Sequence, residues 1–396
     1  VTLRVSDIDE AISQRFPPER AEPWDRVGLL AGDPMAKVTG VAVGLDPTPS
    51  AIAAAVDADA NVLVTHHPAF LEPPKKLTAG KSGGGALVFS AIEKGVALIS
   101  AHTNLDRDAC AQRLLPERLG LKPVHALESA PMPMAVVTVF VPPDALASVR
   151  EAMAAAGAGR IGEYRGCSFA ASGHGAFVAG ETTDPHIGRP GEFTEPAEAR
   201  LEMVCPRALV PSVIAAAVAR HPYEEPLVTA AEMSMARNSS ALGMLSKVAT
   251  ADGTGGAGAP DAPDASITLA EFARRAAAAF EVTPRVWGDP ASSVSCIATV
   301  TGSGGSLIGD AVRAGAQVLL AGEVRYHDAL KASEGGLAVV ELGHDVSEWP
   351  LVGLLAEAVS VAVGTSGVPV TVLPARPHWF SPDALDPPAV RGAGIF

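Results

Sequence analysis

Apolar residues at helical spacing over 7–15, with Ser6 placed as N-cap, predict a first helix. Short continuous apolar runs at Val38–Leu45, Val62–Thr65 and Val96–Ala101 read as buried strands. Between them, Ala51–Ala58 and Ala86–Lys94 read as helices. This alternation predicts an α/β layer with a mostly parallel sheet, since a parallel connection needs a crossover long enough to hold a helix. Near residue 128 the pattern changes. Ala135–Val141 is a strand and Asp144–Ala156 a helix stopped by Gly157. Alternating segments follow around Ser168–Ser172 and Arg200–Cys205, then a helix at Ala208–Arg220. That order predicts a small ferredoxin-like α+β unit. Residues 251–265 are low-complexity Gly/Ala/Pro/Asp and predict a flexible linker. Helices at Thr268–Ala279 and Ser306–Arg313 then alternate with strands at Val294–Val300, Val318–Ala321 and Val339–Leu342. Val346–Val363 is mostly helix and Val370–Leu373 a last strand. The predicted architecture is one α/β core, residues 1–127 and 266–396, split by an inserted α+β domain at 128–236 and a linker at 237–265.

At 396 residues the chain is too long for one ordinary domain, which agrees with the split. Its net charge of −14 is repelled by phosphate backbones and anionic lipid, so nucleic-acid and membrane binding are not expected. Cys110, Cys167, Cys205 and Cys296 lie far apart without a CxxC pair, which argues against zinc knuckles and a disulfide framework. The chain opens on no signal-peptide pattern, and apolar runs such as Leu351–Val363 are too short to span a bilayer. A reduced cytoplasmic protein is the simplest expectation.

The candidate chemistry gathers just past strand ends, where open parallel sheets bind ligands. His66 and His67 follow the first half's buried run and precede Pro68. Each imidazole offers one neutral nitrogen to a metal; the alternative is a hydrogen-bonded surface turn. Ser100-Ala-His102-Thr-Asn104-Leu-Asp106 follows the next strand. Asp106 supplies an anionic ligand, with His102 and Asn104 to orient it, or the segment is ordinary turn chemistry. His344 and Glu348 follow Val339–Leu342 four residues apart, and so share one face of a helix's first turn. Together these junctions offer three imidazoles and two carboxylates, enough for two divalent ions about 3.5–4 Å apart that activate a bridging hydroxide. Glu323 and His327 sit at the same spacing after another strand, and Gly302-Ser-Gly304-Gly305-Ser306 either cradles an anion or is a Gly-rich turn with a Ser cap.

These segments, with Trp24-Asp-Arg-Val-Gly28 ahead of them and in the order THHP, SAHTNLD, AGEVRYHDA, GHDVSE, resemble the GTP cyclohydrolase 1 type 2 family, the Nif-three-like proteins. The insert, with Gly157-Ala-Gly159-Arg160 and His221-Pro-Tyr-Glu-Glu-Pro226, resembles the PII-like and CutA-like domain of the family's longer bacterial members. The resemblance implies a dinuclear metal site whose ligand pattern falls on His66, His67, Asp106, His344 and Glu348. It implies a ring-like homohexamer with trimer contacts through the insert. The metals are two divalent ions per chain, drawn from Zn, Fe, Mn or Co. The expected activity is a metal-dependent hydrolase, with a metal-bound hydroxide attacking a nucleotide-like small molecule and His102, Glu323 or His327 moving protons. The competing expectation is a non-catalytic metal-binding or regulatory scaffold.

Overall fold

The computed structural model describes residues 2–80, 83–131, 133–161, 164–233, 235, 239–249 and 265–375. Most of the expected linker, and the chain's end from 376 on, lie outside the described residues. The chain divides into two compact units, one of residues 1–129 with 240–396 and the other of residues 130–239.

The alternation predicts one mostly parallel sheet in the first unit. The structure has two mixed sheets there instead. A five-stranded sheet runs in the order Gly28–Ala31, Ala97–Ser100, Val62–Thr65, Val41–Gly44, Val370–Val372. Its last four strands are parallel, and the unpredicted edge strand Gly28–Ala31 is antiparallel. A six-stranded sheet runs Arg285–Trp287, Ala338–Glu341, Val318–Ala321, Cys296–Thr299, Ser239–Val248, Leu121–Pro131. Its central three strands are parallel, and Arg285–Trp287 and Ser239–Val248 add to them antiparallel. The parallel strands Val41–Gly44, Val62–Thr65, Ala97–Ser100, Val318–Ala321 and Ala338–Glu341 are buried along their whole length, which is why they read as continuous apolar runs rather than as alternation. The added strands Gly28–Ala31 and Arg285–Trp287 each follow a helix, Val5–Arg15 and Leu269–Phe280, yet pair antiparallel, so helix–strand alternation gives no sign of their direction.

The two halves of this unit depend on each other. The helix His344–Val363 buries Leu351, Val352, Leu355 and Val359 against Val41, Val43, Val62, Val64 and Ile99 of the first half's sheet. Val370–Val372 then completes that same sheet. Burying one such aliphatic side chain is worth about 1.5–3 kcal/mol, so the seam between the halves is a main contributor to this core. The helix is longer than the run Leu351–Val363 suggests. At 20 residues and a hydropathy of 1.5 it is long and apolar enough to cross a bilayer, and half of it is buried inside the protein.

In the second unit, the strands Met134–Val141, Phe169–His174, Ala197–Pro206 and Val228–Met233 form an antiparallel sheet. The sheet order is Val228–Met233, Met134–Val141, Ala197–Pro206, Phe169–His174. Helices Leu146–Ala155 and Val210–Arg220 pack on it, closing a core of Val137, Val139, Val149, Met153, Leu201 and Val213. Burial alternates along much of Ala197–Pro206, as one-sided packing requires, whereas the edge strand Phe169–His174 is exposed throughout.

Candidate metal centre

The parallel ladder continues past the strand ends and fixes the histidine pair. The amides of His66 and His67 donate to the carbonyls of Gly44 and Leu45, and Ala101 N–H donates to Thr65. Ser100 Oγ donates to the His66 carbonyl and Thr65 Oγ1 to that of His67. Adjacent strand residues would point to opposite faces, but the chain leaves the strand after Thr65, and the two rings lie 5.1 Å apart. His102 joins them, with ring centroids 5.2 Å from His66 and 5.6 Å from His67. His344, the first residue of its helix, stands 5.6 Å from His67 on the other side.

Each of the four imidazoles has an oxygen at Nδ1. His66 Nδ1 is 3.0 Å from the Ala101 carbonyl, His67 Nδ1 2.8 Å from Asp46 Oδ1, and His102 Nδ1 2.8 Å from Asp25 Oδ1. His344 Nδ1 is 3.2 Å from Glu323 Oε1. An acceptor at Nδ1 places the proton there and leaves Nε2 as a lone pair, the arrangement that metal-binding histidines adopt. The Nε2 atoms face two buried carboxylates. His66 Nε2 is 3.8 Å from Asp106 Oδ1 and 3.7 Å from Glu348 Oε1. His67 Nε2 is 2.9 Å from Glu348 Oε2, and His344 Nε2 is 3.2 Å from Glu348 Oε1. Ligands about 2.1 Å from a shared ion would be about 3.0–3.4 Å from one another, so several of these separations already suit one.

Two observations test whether a cation fits. His66 Nε2 is buried and makes no hydrogen bond among the described residues, its nearest carboxylate oxygens standing 3.7 and 3.8 Å away. Buried polar atoms are rarely left so, because desolvation without a partner costs about 1–3 kcal/mol. The second is charge. Burial disfavours the His67 imidazolium, yet Asp46 and Glu348 outweigh it and hold the ring up to about 10. Glu348, more than burial disfavours it, raises His344 to about 9. Burial opposes the Glu348 carboxylate, but His344, His66 and His67 hold it well below its usual range. Burial drives Asp106 upward, with the nearby Glu348 adding to it. The cluster gathers positive charge around its carboxylates, and a divalent ion would supply that charge without protons. The ligand atoms of His66, His67 and His102 lie within 4.8 Å of one another, as do those of His67, His344 and Glu348. The residues fit a metal.

Glycines let the strand-end loops close over this cluster. Gly302 has φ +60°, and a Cβ there would run into the Glu348 carboxylate; Gly322 packs against the His344 backbone and Ser347. Gly302 N–H donates to Ser347 Oγ and Gly304 N–H to the Glu323 carbonyl, so those two amides are not free to cradle an anion. Thr301 Oγ1 instead donates to Asp106 Oδ1 at 2.9 Å.

All five residues of the sequence-derived ligand pattern stand together here. Of the three proton-transfer candidates, His102 lies in the imidazole cluster itself, and Glu323 touches His344 while remaining 59% exposed. His327 lies on the exposed side of the helix Tyr326–Glu334, with its ring against Tyr326; among the described residues no hydrogen bond, ion pair or ring contact ties it to the cluster. Asn104, also read as an orienting residue, donates to the Phe16 carbonyl. Sequence reasoning passed over Asp25, Asp46 and Thr301. Asp46 and Thr301 each follow a strand end, Val41–Gly44 and Cys296–Thr299, so the rule that found the histidines also reaches them. Asp25 accepts from His102 and from both the amide and the hydroxyl of Thr103, which hold its carboxyl, against its burial, at about 2.

The Duf34/NIF3 (NGG1p interacting factor 3) profile matches residues 3–378. A Mycobacterium tuberculosis protein named GTP cyclohydrolase 1 type 2 homolog is 32% identical over 381 residues, covering 94% of this chain and 95% of its own length. A Bacillus subtilis protein of the same name is 32% identical over 342 residues, covering 85% and 87%. The crystal structure of a Bacillus cereus protein related to NIF3 superposes with a TM-score of 0.74 at 28% identity, over 96% of this chain and 100% of that one. With its strand-end histidines, its whole-length match and its shared fold, the chain belongs to the Duf34/NIF3 family.

Proposed function

We propose that this protein binds two divalent cations and uses them to hydrolyse a nucleotide-like small molecule. The observation that carries the metal reading is the set of four imidazoles, each anchored at Nδ1 by an oxygen, with the Nε2 atoms of His66, His67 and His344 facing Asp106 or Glu348. His66, His102 and Asp106 would hold one ion, and His67 and His344 the other. Glu348 is within reach of both sets and would bridge them. Bound divalent ions supply Lewis-acid polarisation of the bond to be broken and a nucleophile at neutral pH. The chain's own residues do the rest. Asp46, Asp25 and the Ala101 carbonyl fix the tautomer and tilt of three rings. Thr301 holds Asp106. Glu323, exposed and at His344, is the group placed to pass protons between the centre and solvent.

The hydrolase reading draws support from the relatives' name, GTP cyclohydrolase 1 type 2 homolog. We also read the second unit as ferredoxin-like, on its strand–helix–strand–strand–helix–strand order, and the assembly as a homohexamer with trimer contacts there, on the family resemblance. Cytoplasmic residence and freedom from nucleic acid and membrane belong to the same reading. The test is elemental analysis of the full chain loaded with Zn, Mn, Fe or Co, followed by turnover of a nucleotide and phosphoester panel. About two ions per chain are expected, with turnover lost in Glu348→Gln. Loaded protein that turns over nothing would leave a binding scaffold, and protein that takes up no ion would end both readings.

A further inference from the structure

The segment between Pro18–Arg20 and the strand Gly28–Ala31 holds an indole that packing does not explain. The Asp25 N–H donates to the Glu22 carbonyl at 2.9 Å, which makes Glu22–Asp25 a turn with Pro23 and Trp24 at its centre. Pro23 suits its place there, whereas an indole does nothing for a turn's backbone. The turn is pinned on both sides of Trp24. The Glu22 N–H donates to Thr103 Oγ1 at 2.8 Å, and Glu22 Oε1 accepts from Arg107 at 2.6 Å. Asp25 Oδ2 accepts from the amide and the hydroxyl of Thr103, and the Arg26 N–H donates to Asp25 Oδ1 at 2.7 Å. Between these anchors Trp24 itself stays 54% exposed.

The fixed indole stands at the edge of the candidate metal centre. Its ring centroid is 6.0 Å from that of His102, with the two planes at 73°. In such an edge-to-face contact His102 covers at most one face of the indole. Ring contacts run on from His102 to His67 and from His67 to His344, each at 5.6 Å. Those three imidazoles are partly open to solvent, whereas His66 is enclosed. The open side of the centre is therefore a row of imidazoles, with Trp24 at the His102 end and the exposed Glu323 at the His344 end. A flat ring laid on the indole, about 3.5–4 Å from it, stands beside His102.

We propose that Trp24 is the stacking platform of this centre, and that the molecule acted on carries a planar heteroaromatic ring that rests there. The proposal builds on the reading of the cluster as a reaction centre and narrows it: the ring of the substrate, and not only a phosphoester, lies beside the metal ligands. Stacking on an aromatic side chain accepts any ring with a π-face, so Trp24 selects for flatness rather than for one base. A sugar phosphate or an alkyl ester has no flat face and would leave the indole uncovered. The pinned turn holds the indole in place before the ligand arrives, so little ordering is required on binding.

AMP and ribose 5-phosphate, which differ by the ring, are titrated into the full chain by calorimetry, with and without zinc. AMP is expected to bind at least about tenfold more tightly. Trp24→Leu, apolar but without a flat face, should weaken AMP by about tenfold and leave ribose 5-phosphate unchanged, and Trp24→Phe should recover most of that loss. Zinc per chain and the circular dichroism spectrum should be the same in both variants, which separates a platform from a residue that only props His102. For any nucleotide the centre hydrolyses, Trp24→Leu should raise KM by a similar factor and leave kcat within about twofold. The proposal is overturned if AMP does not bind, if ribose 5-phosphate matches it, if Trp24→Leu binds AMP as tightly as the parent, or if Trp24→Leu loses its zinc. Failure of the metal-hydrolase reading looks different: the parent takes up no ion or turns over nothing, while the ring-dependent difference and its loss in Trp24→Leu are still measured on the metal-free chain.

Discussion

Glu341 ends a buried strand and is the brace of the loop that carries Glu323. Its side chain is 4% exposed. It accepts two hydrogen bonds from Arg285 at 2.6 and 2.8 Å, one from the Trp287 indole at 2.9 Å and one from the Val324 amide at 3.0 Å. Replacing it with Ala acts unequally on these donors. Arg285 is 67% exposed and regains water, so its loss counts for about 1 kcal/mol or less. The Val324 N–H is buried and would be left unpaired, at about 1–3 kcal/mol, and the Trp287 N–H would lose a partner worth about 1 kcal/mol. Local destabilisation of about 3 kcal/mol follows, and at 1.4 kcal/mol per decade the Val324 amide should exchange with solvent about a hundredfold faster. Hydrogen exchange of the peptide spanning 322–326 measures this directly. The assay avoids a global unfolding curve, which need not be two-state in a chain of two units. The pH dependence has a definite sign. Against its burial, the bonds from Arg285, Trp287 and Val324 hold the Glu341 carboxyl below its usual 4.5. Its stabilisation is therefore complete above 4.5 and is lost as pH falls through the lowered value. Unchanged protection at Val324 in Glu341→Ala would refute the reasoning.

Further expectations concern the centre itself. Asp46→Ala and Asp25→Ala each free the far nitrogen of a histidine and should lower metal affinity by about 10–100-fold in equilibrium dialysis, with the fold intact by circular dichroism. Gly302→Ala sets a Cβ against the Glu348 carboxylate at a positive φ, and should lower bound metal per chain while costing about 1 kcal/mol or more in backbone strain. Chelation should lower the melting temperature, since an ion at about a hundred times its Kd stabilises the folded chain by about 2.7 kcal/mol; an identical melt with and without chelator would count against a bound metal. His327→Ala should leave metal content unchanged, because among the described residues that ring packs on Tyr326 and has no contact with the cluster.

The gathering of these side chains was legible because it obeys a positional rule. His66, Asp106 and His344 each follow a short buried strand, and a strand end is easy to locate when the strand is a four-residue apolar run. Their anchors were harder to see. Asp25 is 77 residues from His102, and Asp46 is 21 from His67, and pairing over such distances is set by sheet order, which helix–strand alternation does not specify. The same gap explains the two sheets. Nothing in the run Leu121–Pro131 says that it closes the edge of a sheet whose centre begins near residue 296. The placing of His102 was not legible: the sequence reads it as orienting Asp106 or moving protons, whereas its ring lies among the imidazoles, 5.2 Å from that of His66.

The seam between the first half's sheet and the helix His344–Val363 has a consequence for how the protein comes into being. At about 5–20 residues per second, some 260 residues separating Ala101 from Val363 take about 13–50 s to synthesise. Throughout that interval Val41, Val43, Val62 and Val64 lack the helix that covers them. His66, His67 and Asp106 likewise wait for Glu348. The nascent chain thus carries a sticky, half-finished sheet throughout that interval, and the cluster is closed only once this helix has been made. A holdase that shields that face during synthesis, and a drop in soluble yield when the ribosome is slowed after residue 101, are the outcomes this order of assembly entails.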